Sequence, residues 1–210
     1  MRVEGIDGQK LTMTTEMEHL FRNNDFNFRR GLIGCALSHM SLWQQIADGS
    51  DDMMLIVEDD TTFVPHLRNE LVDALGQLPE ATDFDLAFLG SLHWDTAPDR
   101  TGLAPRDRWR PMVWEDFLGG TFAYLVTKTG AQKLLEIAER DGIQTGIDWF
   151  PMRHGSELRV LETLPAVASA TLAWPGRSGD SDIQHDFEPV ATELPPSSNS
   201  DRPPRSSTRD

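Results

Sequence analysis

The sequence predicts an α/β layered domain with a mixed, mostly parallel sheet flanked by helices, and three observations carry that reading. Short apolar runs of strand length alternate with stretches whose apolar residues recur at helical spacing. The apolar runs lack the in-and-out alternation of a half-wetted sheet, which suits strands covered on both faces. Each run also empties into a polar loop, and in such sheets ligands bind beyond the carboxyl ends of the strands.

Residues 1–30 are polar, with turn chemistry at Asp7-Gly8 and at "RNND" (Arg22–Asp25). Leu32, Ile33, Ala36, Met40, Trp43 and Ala47 recur at helical spacing, so 32–47 reads as a buried helix that "DGSDD" ends. Met53–Val57 is a continuous apolar run, read as a strand buried on both faces. Leu67, Leu71, Ala74, Leu75 and Leu78 form an amphipathic helix that stops at "LPEATD". Phe84–Leu89 is a second buried strand. Residues 91–114 carry Trp94, Trp109 and Trp114 among Arg and Pro without periodicity, which reads as a long loop. Thr121–Val126 is a third strand. The helix after it is capped by Thr127 or Thr129 and ends near Gly142. Leu158–Leu161 is a candidate strand. The domain is drawn at residues 1–178. Residues 179–210 are acidic, Pro/Ser-rich and nearly free of aliphatics, and are expected to be mostly disordered.

Charge and cysteine content exclude some functions. Lys+Arg number 19 against Asp+Glu 34, a formal net charge of -15, which disfavours nucleic acid and anionic lipid as partners. A phosphate-bearing ligand stays compatible if a divalent cation neutralises the site locally. The single cysteine, Cys35, has no partner for an intramolecular disulfide and reads as a packing residue. No apolar leader or transmembrane stretch is present in the sequence, so a cytoplasmic setting is expected.

The stretch that carries chemistry is "LIVEDD" (Leu55–Asp60), where an apolar strand runs into three carboxylates. If the extended conformation persists, Glu58 and Asp60 point to one side. Like charges that close repel unless a cation lies between them, and oxygen ligands at this density suit Mn²⁺ or Mg²⁺. A solvated acidic turn is the alternative.

Four segments in one order weight the choice. "RGLIGCALSHMSLWQQ" (Arg30–Gln45), "LIVEDDTTF" (Leu55–Phe63), "GGTFAYLVTKTGAQKLL" (Gly119–Leu135) and "GIDWF" (Gly146–Phe150) resemble the family 25 glycosyltransferases. That family includes lipooligosaccharide and collagen galactosyltransferases. "GIDGQKL" (Gly5–Leu11) and "SDIQ" (Ser181–Gln184) resemble further elements of its pattern. The family's opening strand has no counterpart before Asp7-Gly8, so the domain is expected to lack that unit. The resemblance implies a GT-A-type, Rossmann-like fold and transfer of a hexose, galactose from UDP-galactose, to a glycan such as lipooligosaccharide or to a hydroxylated protein. It implies inversion at the sugar, Asp60 and Glu58 as ligands of Mn²⁺ or Mg²⁺, and Asp59 near the donor.

Other residues are weighed against plainer roles. His39 and Ser38 could contact the donor or serve locally. Gly119 and Gly120 could admit a sugar or simply turn the chain. Tyr124 could line the acceptor site or pack in the sheet. Asp148, beside Trp149 and Phe150, is the candidate base, with helix N-capping as its alternative and Glu115 and Asp116 as competitors. Two rival functions stay open: a non-catalytic, sugar- or partner-binding descendant, and a metal-dependent phosphate-ester hydrolase. The hydrolase is disfavoured by the lack of a nucleophilic Asp-x-Asp start or a His-rich metal set.

Overall fold

The computed structural model describes residues 1–93, 107–115 and 117–170. The chain opens with a 3-10 turn at Gly8–Lys10 and helix α1 (Thr15–Leu20), then α2 (Arg30–Asp48), β1 (Met53–Val57), β2 (Thr62–Phe63) and α3 (Leu67–Gly76). It continues through β3 (Leu86–Phe88), β4 (Leu92–His93), β5 (Trp109–Pro111), β6 (Phe117–Gly119) and β7 (Ala123–Thr127). Helices α4 (Lys128–Asp141) and α5 (Phe150–Arg153) and strands β8 (Val160–Thr163) and β9 (Ala168–Ser169) complete it. No described helix is long and apolar enough to cross a membrane.

Five strands form the central sheet in the order β1-β7-β3-β8-β5, and two-stranded ribbons β2-β9 and β4-β6 flank it. Strands β7 and β3 are central, so their side chains alternate between two apolar layers. Tyr124, Val126, Leu86 and Phe88 enter the core shared with α2 and α4. Ala123, Leu125, Ala87 and Leu89 enter the opposite core, which holds Ala74 of α3 and Trp109. Helix α2 forms where expected because Ile33, Ala36, Trp43 and Ile46 lie on one face, all 2% exposed or less. Helix α4 starts at Thr127, whose Oγ1 accepts from Gly130 N–H at 2.9 Å. It ends at Gly142, whose φ of 80° favours glycine.

The expected mostly parallel sheet is corrected. Among the described strands of the central sheet only β3–β8 runs parallel; β1–β7, β3–β7 and β5–β8 are antiparallel. Burial on both faces comes here from a central position between two helical layers, which an antiparallel strand satisfies equally well. Strand β1 is corrected too. It has the expected bounds but lies at the sheet edge, and Met53, Leu55 and Val57 are 37%, 40% and 43% exposed. Helix α1 appears in the stretch read as polar, β4 and β5 in the stretch read as a loop, and β6 between the expected loop and the third strand. Trp94, Asp116, Ser181–Gln184 and the tail 179–210 lie outside the described residues.

The N-terminal segment is fastened across α2. Ser38 Oγ accepts from Ile6 N–H at 2.8 Å and donates to the Gly34 carbonyl at 2.7 Å. A Cβ on Gly34 would lie 2.5 Å from the Ile6 carbonyl oxygen, so only glycine allows this approach. At the other end of the sheet, Asp85 is fully buried and bonds Lys133 Nζ through both oxygens at 2.9 Å, together with the Arg159 backbone and guanidinium.

Candidate active site

Strand β1 delivers the acid run to a pinned turn. Glu58 N–H donates to the Phe122 carbonyl at 2.8 Å, and Thr61 Oγ1 donates to the same oxygen at 2.8 Å. Thr61 N–H closes back on the Glu58 carbonyl at 3.3 Å. The extended conformation therefore stops at Val57, and strand alternation no longer sets the directions of Glu58 and Asp60. Asp59 and Asp60 are exposed on the turn, and the Glu58 side chain is 33% exposed.

Beneath Glu58 runs a hydrogen-bond chain from three elements. His39 of α2 places Nε2 at 3.0 Å from Glu58 Oε1 and Nδ1 at 2.9 Å from the Tyr124 hydroxyl of β7. Trp43, one turn along α2, donates its indole N–H to the same hydroxyl at 2.9 Å. Indole nitrogen only donates, so the Tyr124 oxygen accepts there and its own O–H is free to donate to His39 Nδ1. His39 then carries its hydrogen on Nε2 and donates it to the Glu58 carboxylate. This arrangement leaves no buried member of the chain without a partner. His39, Trp43 and Tyr124 are all less than 5% exposed, so they act as a rigid wall that orients one oxygen of Glu58.

Asp148 approaches from the loop before α5. Its Oδ1 accepts the N–H groups of Gly120 at 3.2 Å and Thr121 at 3.0 Å, and the Thr121 hydroxyl at a shorter separation. A Cβ on Gly119 would meet the Asp148 carboxyl at 3.4 Å, so the two loops pack closely. Helix α5 has Trp149 at its N-cap and no side-chain cap. Asp148 is thus a cross-link between the 119–121 loop and the 146–150 loop rather than a cap. Trp149 itself is 41% exposed, with its indole N–H bonded to the Leu118 carbonyl at 2.9 Å.

The Cys35 thiol shows how these acids are grouped. Burial pushes its pKa up, and the charges of Glu58, Asp148 and Asp60 push it further. Burial also raises the Tyr124 hydroxyl; the Trp43 N–H opposes that shift, while Glu58, Cys35 and Asp148 reinforce it. The turn after β1, with Glu58 and Asp60, and the loop before α5, with Asp148, thus both act electrostatically on one sulfur.

Hard oxygen donors of this kind fit a divalent cation. Among the described residues Asp60 and Asp148 form no ion pair with Lys or Arg, so their charge is not neutralised locally. Ligand atoms of Cys35, His39 and Glu58 also lie within 4.8 Å of one another. Both His39 nitrogens are already engaged, which makes the carboxylates the better donor set.

The other expected site residues fall in different places. Ser38 holds the N-terminal segment, Tyr124 is wholly inside the wall, and Glu115 is exposed on the turn before β6. Gly120 packs against Phe88 and the Gly90 carbonyl. Trp109 anchors its strand through an N–H bond to the Ala74 carbonyl at 2.7 Å, and Trp114 packs edge-on against Phe117. Sequence reading did not single out Trp43, Thr121 or Trp149 as site residues. Trp43 had a local signal in its spacing from His39; Thr121 had none.

Comparison with known proteins finds the chain similar to glycosyltransferases. Residues 2–100 match the family described as glycosyltransferase family 25 (LPS biosynthesis protein). Human procollagen galactosyltransferase 2 is 27% identical over 142 residues, covering 63% of this chain and 22% of that protein. Procollagen galactosyltransferase 1-B of Xenopus laevis is 32% identical over 122 residues, covering 58% and 19%. R655 of Acanthamoeba polyphaga mimivirus, a glycosyltransferase by its name alone, is 26% identical over 193 residues, covering 89% and 59%. Over residues 2–100 the chain is thus similar to the family 25 glycosyltransferases, the family its motifs resemble. It spans about a fifth of the length of the two galactosyltransferases.

Proposed function

We propose that this chain acts as a metal-dependent glycosyltransferase. In this reading it moves galactose from UDP-galactose to a hydroxyl of a glycan or protein acceptor, with inversion, in the cytoplasm. The observation that carries the reading is the Glu58 carboxylate held at the end of β1 by the His39–Tyr124–Trp43 wall, in a chain whose residues 2–100 match family 25.

Asp60 and Glu58 would hold Mn²⁺ or Mg²⁺. When bound, such an ion supplies Lewis-acid stabilisation of the diphosphate leaving group. The protein's own residues do the rest. His39 fixes Glu58, so that carboxylate loses no freedom when a donor arrives. The acceptor oxygen attacks the anomeric carbon while the bond from that carbon to the UDP oxygen breaks, its electron pair leaving with UDP. Asp148 has Oδ1 held by three donors, and we assign Oδ2 to receive the acceptor's proton. Trp149, exposed and fixed by its bond to Leu118, offers an aromatic face to the acceptor sugar.

The experiment is transfer from UDP-galactose by Asp148→Asn and Asp148→Ala. Asparagine keeps an oxygen for the 119–121 loop but takes no proton. It should melt near the parent, bind donor, and lose transfer about a hundredfold or more. Alanine should also lower stability by about 1–3 kcal/mol, because buried donors lose their acceptor. Full transfer by Asp148→Asn would remove Asp148 as the base. Absence of transfer in the parent chain, with donor binding intact, would favour a non-catalytic sugar-binding role.

A further inference from the structure

A cavity of about 360 Å³ opens where α4 ends and α5 begins, lined among others by Arg22, Arg140, Asp141, Gln144, Arg153 and His154. Its size falls in the range of small-ligand sites. Its charge is the reverse of the molecule's: three arginines line it with one carboxylate, in a chain whose formal net charge is -15.

The three arginines are not equivalent. Arg140 is neutralised, bonding Asp141 at 2.5 Å and Glu157 at 2.9 Å. Its guanidinium holds these two acids, which are grouped with His154 at metal-ligand spacing, so that cluster is already satisfied by a cation. Arg22 is held differently. It donates to the His19 carbonyl at 2.7 Å and the Arg140 carbonyl at 2.6 Å, neutral acceptors that fix its plane without cancelling its charge. Gly142 makes room for it: a Cβ there would lie 3.1 Å from Arg22 Nη1. Arg153 is exposed and has no ion pair among the described residues. Phe150 forms the floor, its ring centroid 5.0 Å from that of His154.

We propose that this cavity binds a small oxyanion-bearing ligand, a phosphate or a carboxylate, gripped by Arg22 and Arg153 with Gln144 beside them. A fixed guanidinium and a solvent-exposed one on separate elements suit a tetrahedral or planar oxyanion. Asp141 is kept from repelling the ligand because Arg140 holds it. The inference stands on this cavity alone and does not depend on sugar transfer at Glu58 and Asp60.

The test is an amide NMR titration of the full chain at fixed ionic strength with three probes: inorganic phosphate, glucose 1-phosphate and glucuronate. Saturable shifts confined to residues 19–22 and 140–154 are expected in the millimolar range or tighter. Arg153→Gln should melt with the parent and weaken binding about tenfold or more. Response to the two phosphates but not glucuronate would assign a phosphate ligand, and response to all three a general oxyanion site. No saturable shift with any probe, or binding that Arg153→Gln leaves unchanged, would overturn the proposal.

Discussion

Replacing Tyr124 with phenylalanine removes one oxygen from the centre of the site and tests the wall that holds Glu58. That oxygen accepts the Trp43 indole N–H at 2.9 Å and lies 2.9 Å from His39 Nδ1. Trp43, His39 and Tyr124 are 1%, 4% and 0% exposed, so water cannot replace the lost partner without opening the core. An orphaned buried polar group costs about 1–3 kcal/mol, and two are created, so Tyr124→Phe should lose roughly 2–6 kcal/mol. For a domain of this size each kcal/mol moves Tm by about 2–4 °C, giving a drop of roughly 4–24 °C. The assay is thermal and urea unfolding followed by circular dichroism, with Trp43→Phe and the double variant completing a cycle. Trp43→Phe should cost about 1 kcal/mol less in the Tyr124→Phe background, because its indole N–H has no partner left to lose. A Tyr124→Phe melt within about 2 °C of the parent would refute the reasoning.

Two further outcomes follow from buried charge and burial. Burial works to raise the Asp85 pKa, but bonds from Arg159 and Lys133 outweigh it and hold the carboxyl below its ordinary 3.8. A depressed carboxylate stabilises the fold above its unfolded pKa and loses that contribution as pH falls through the folded value. Asp85→Asn should therefore cost about 2–3 kcal/mol at neutral pH, and the gap to the parent should close as pH drops below about 4; a gap constant with pH would count against the ion-pair account. Cys35, with its thiol pKa raised by burial and then by Glu58, Asp148 and Asp60, should resist a thiol reagent at neutral pH until urea unfolds the chain. Complete labelling of the native protein within the mixing time would contradict that placement.

What was legible in the sequence was what leaves a periodic or terminal trace. The α2 face recurs over five turns, β1 is bounded by acids on both sides, and a threonine at 127 or 129 marks the start of α4, the structure choosing Thr127. Pairing direction left no such trace, because the apolar runs of β7 and β3 look alike whichever way they run. Ribbons of two or three residues, such as β4–β6, are too short to show alternation. At the site, residue types were readable and their partners were not. Ser38 reaches Ile6 across 32 positions, and Asp148 reaches Thr121 across 27, contacts that only the folded chain creates. The turn at Glu58–Thr61 was hidden for the same reason, since it is set by the Phe122 carbonyl of a distant segment.

The central claim, that Glu58 and Asp60 form a cation-dependent nucleotide-sugar site, is tested most directly by calorimetry of UDP binding. The parent and Asp60→Asn would each be titrated with and without Mn²⁺. Asp60 is exposed on a turn, so Asp60→Asn should fold like the parent. The account predicts that the parent binds UDP only with Mn²⁺ and that Asp60→Asn loses this dependence together with most of the affinity. UDP binding that ignores both the ion and the substitution would contradict it.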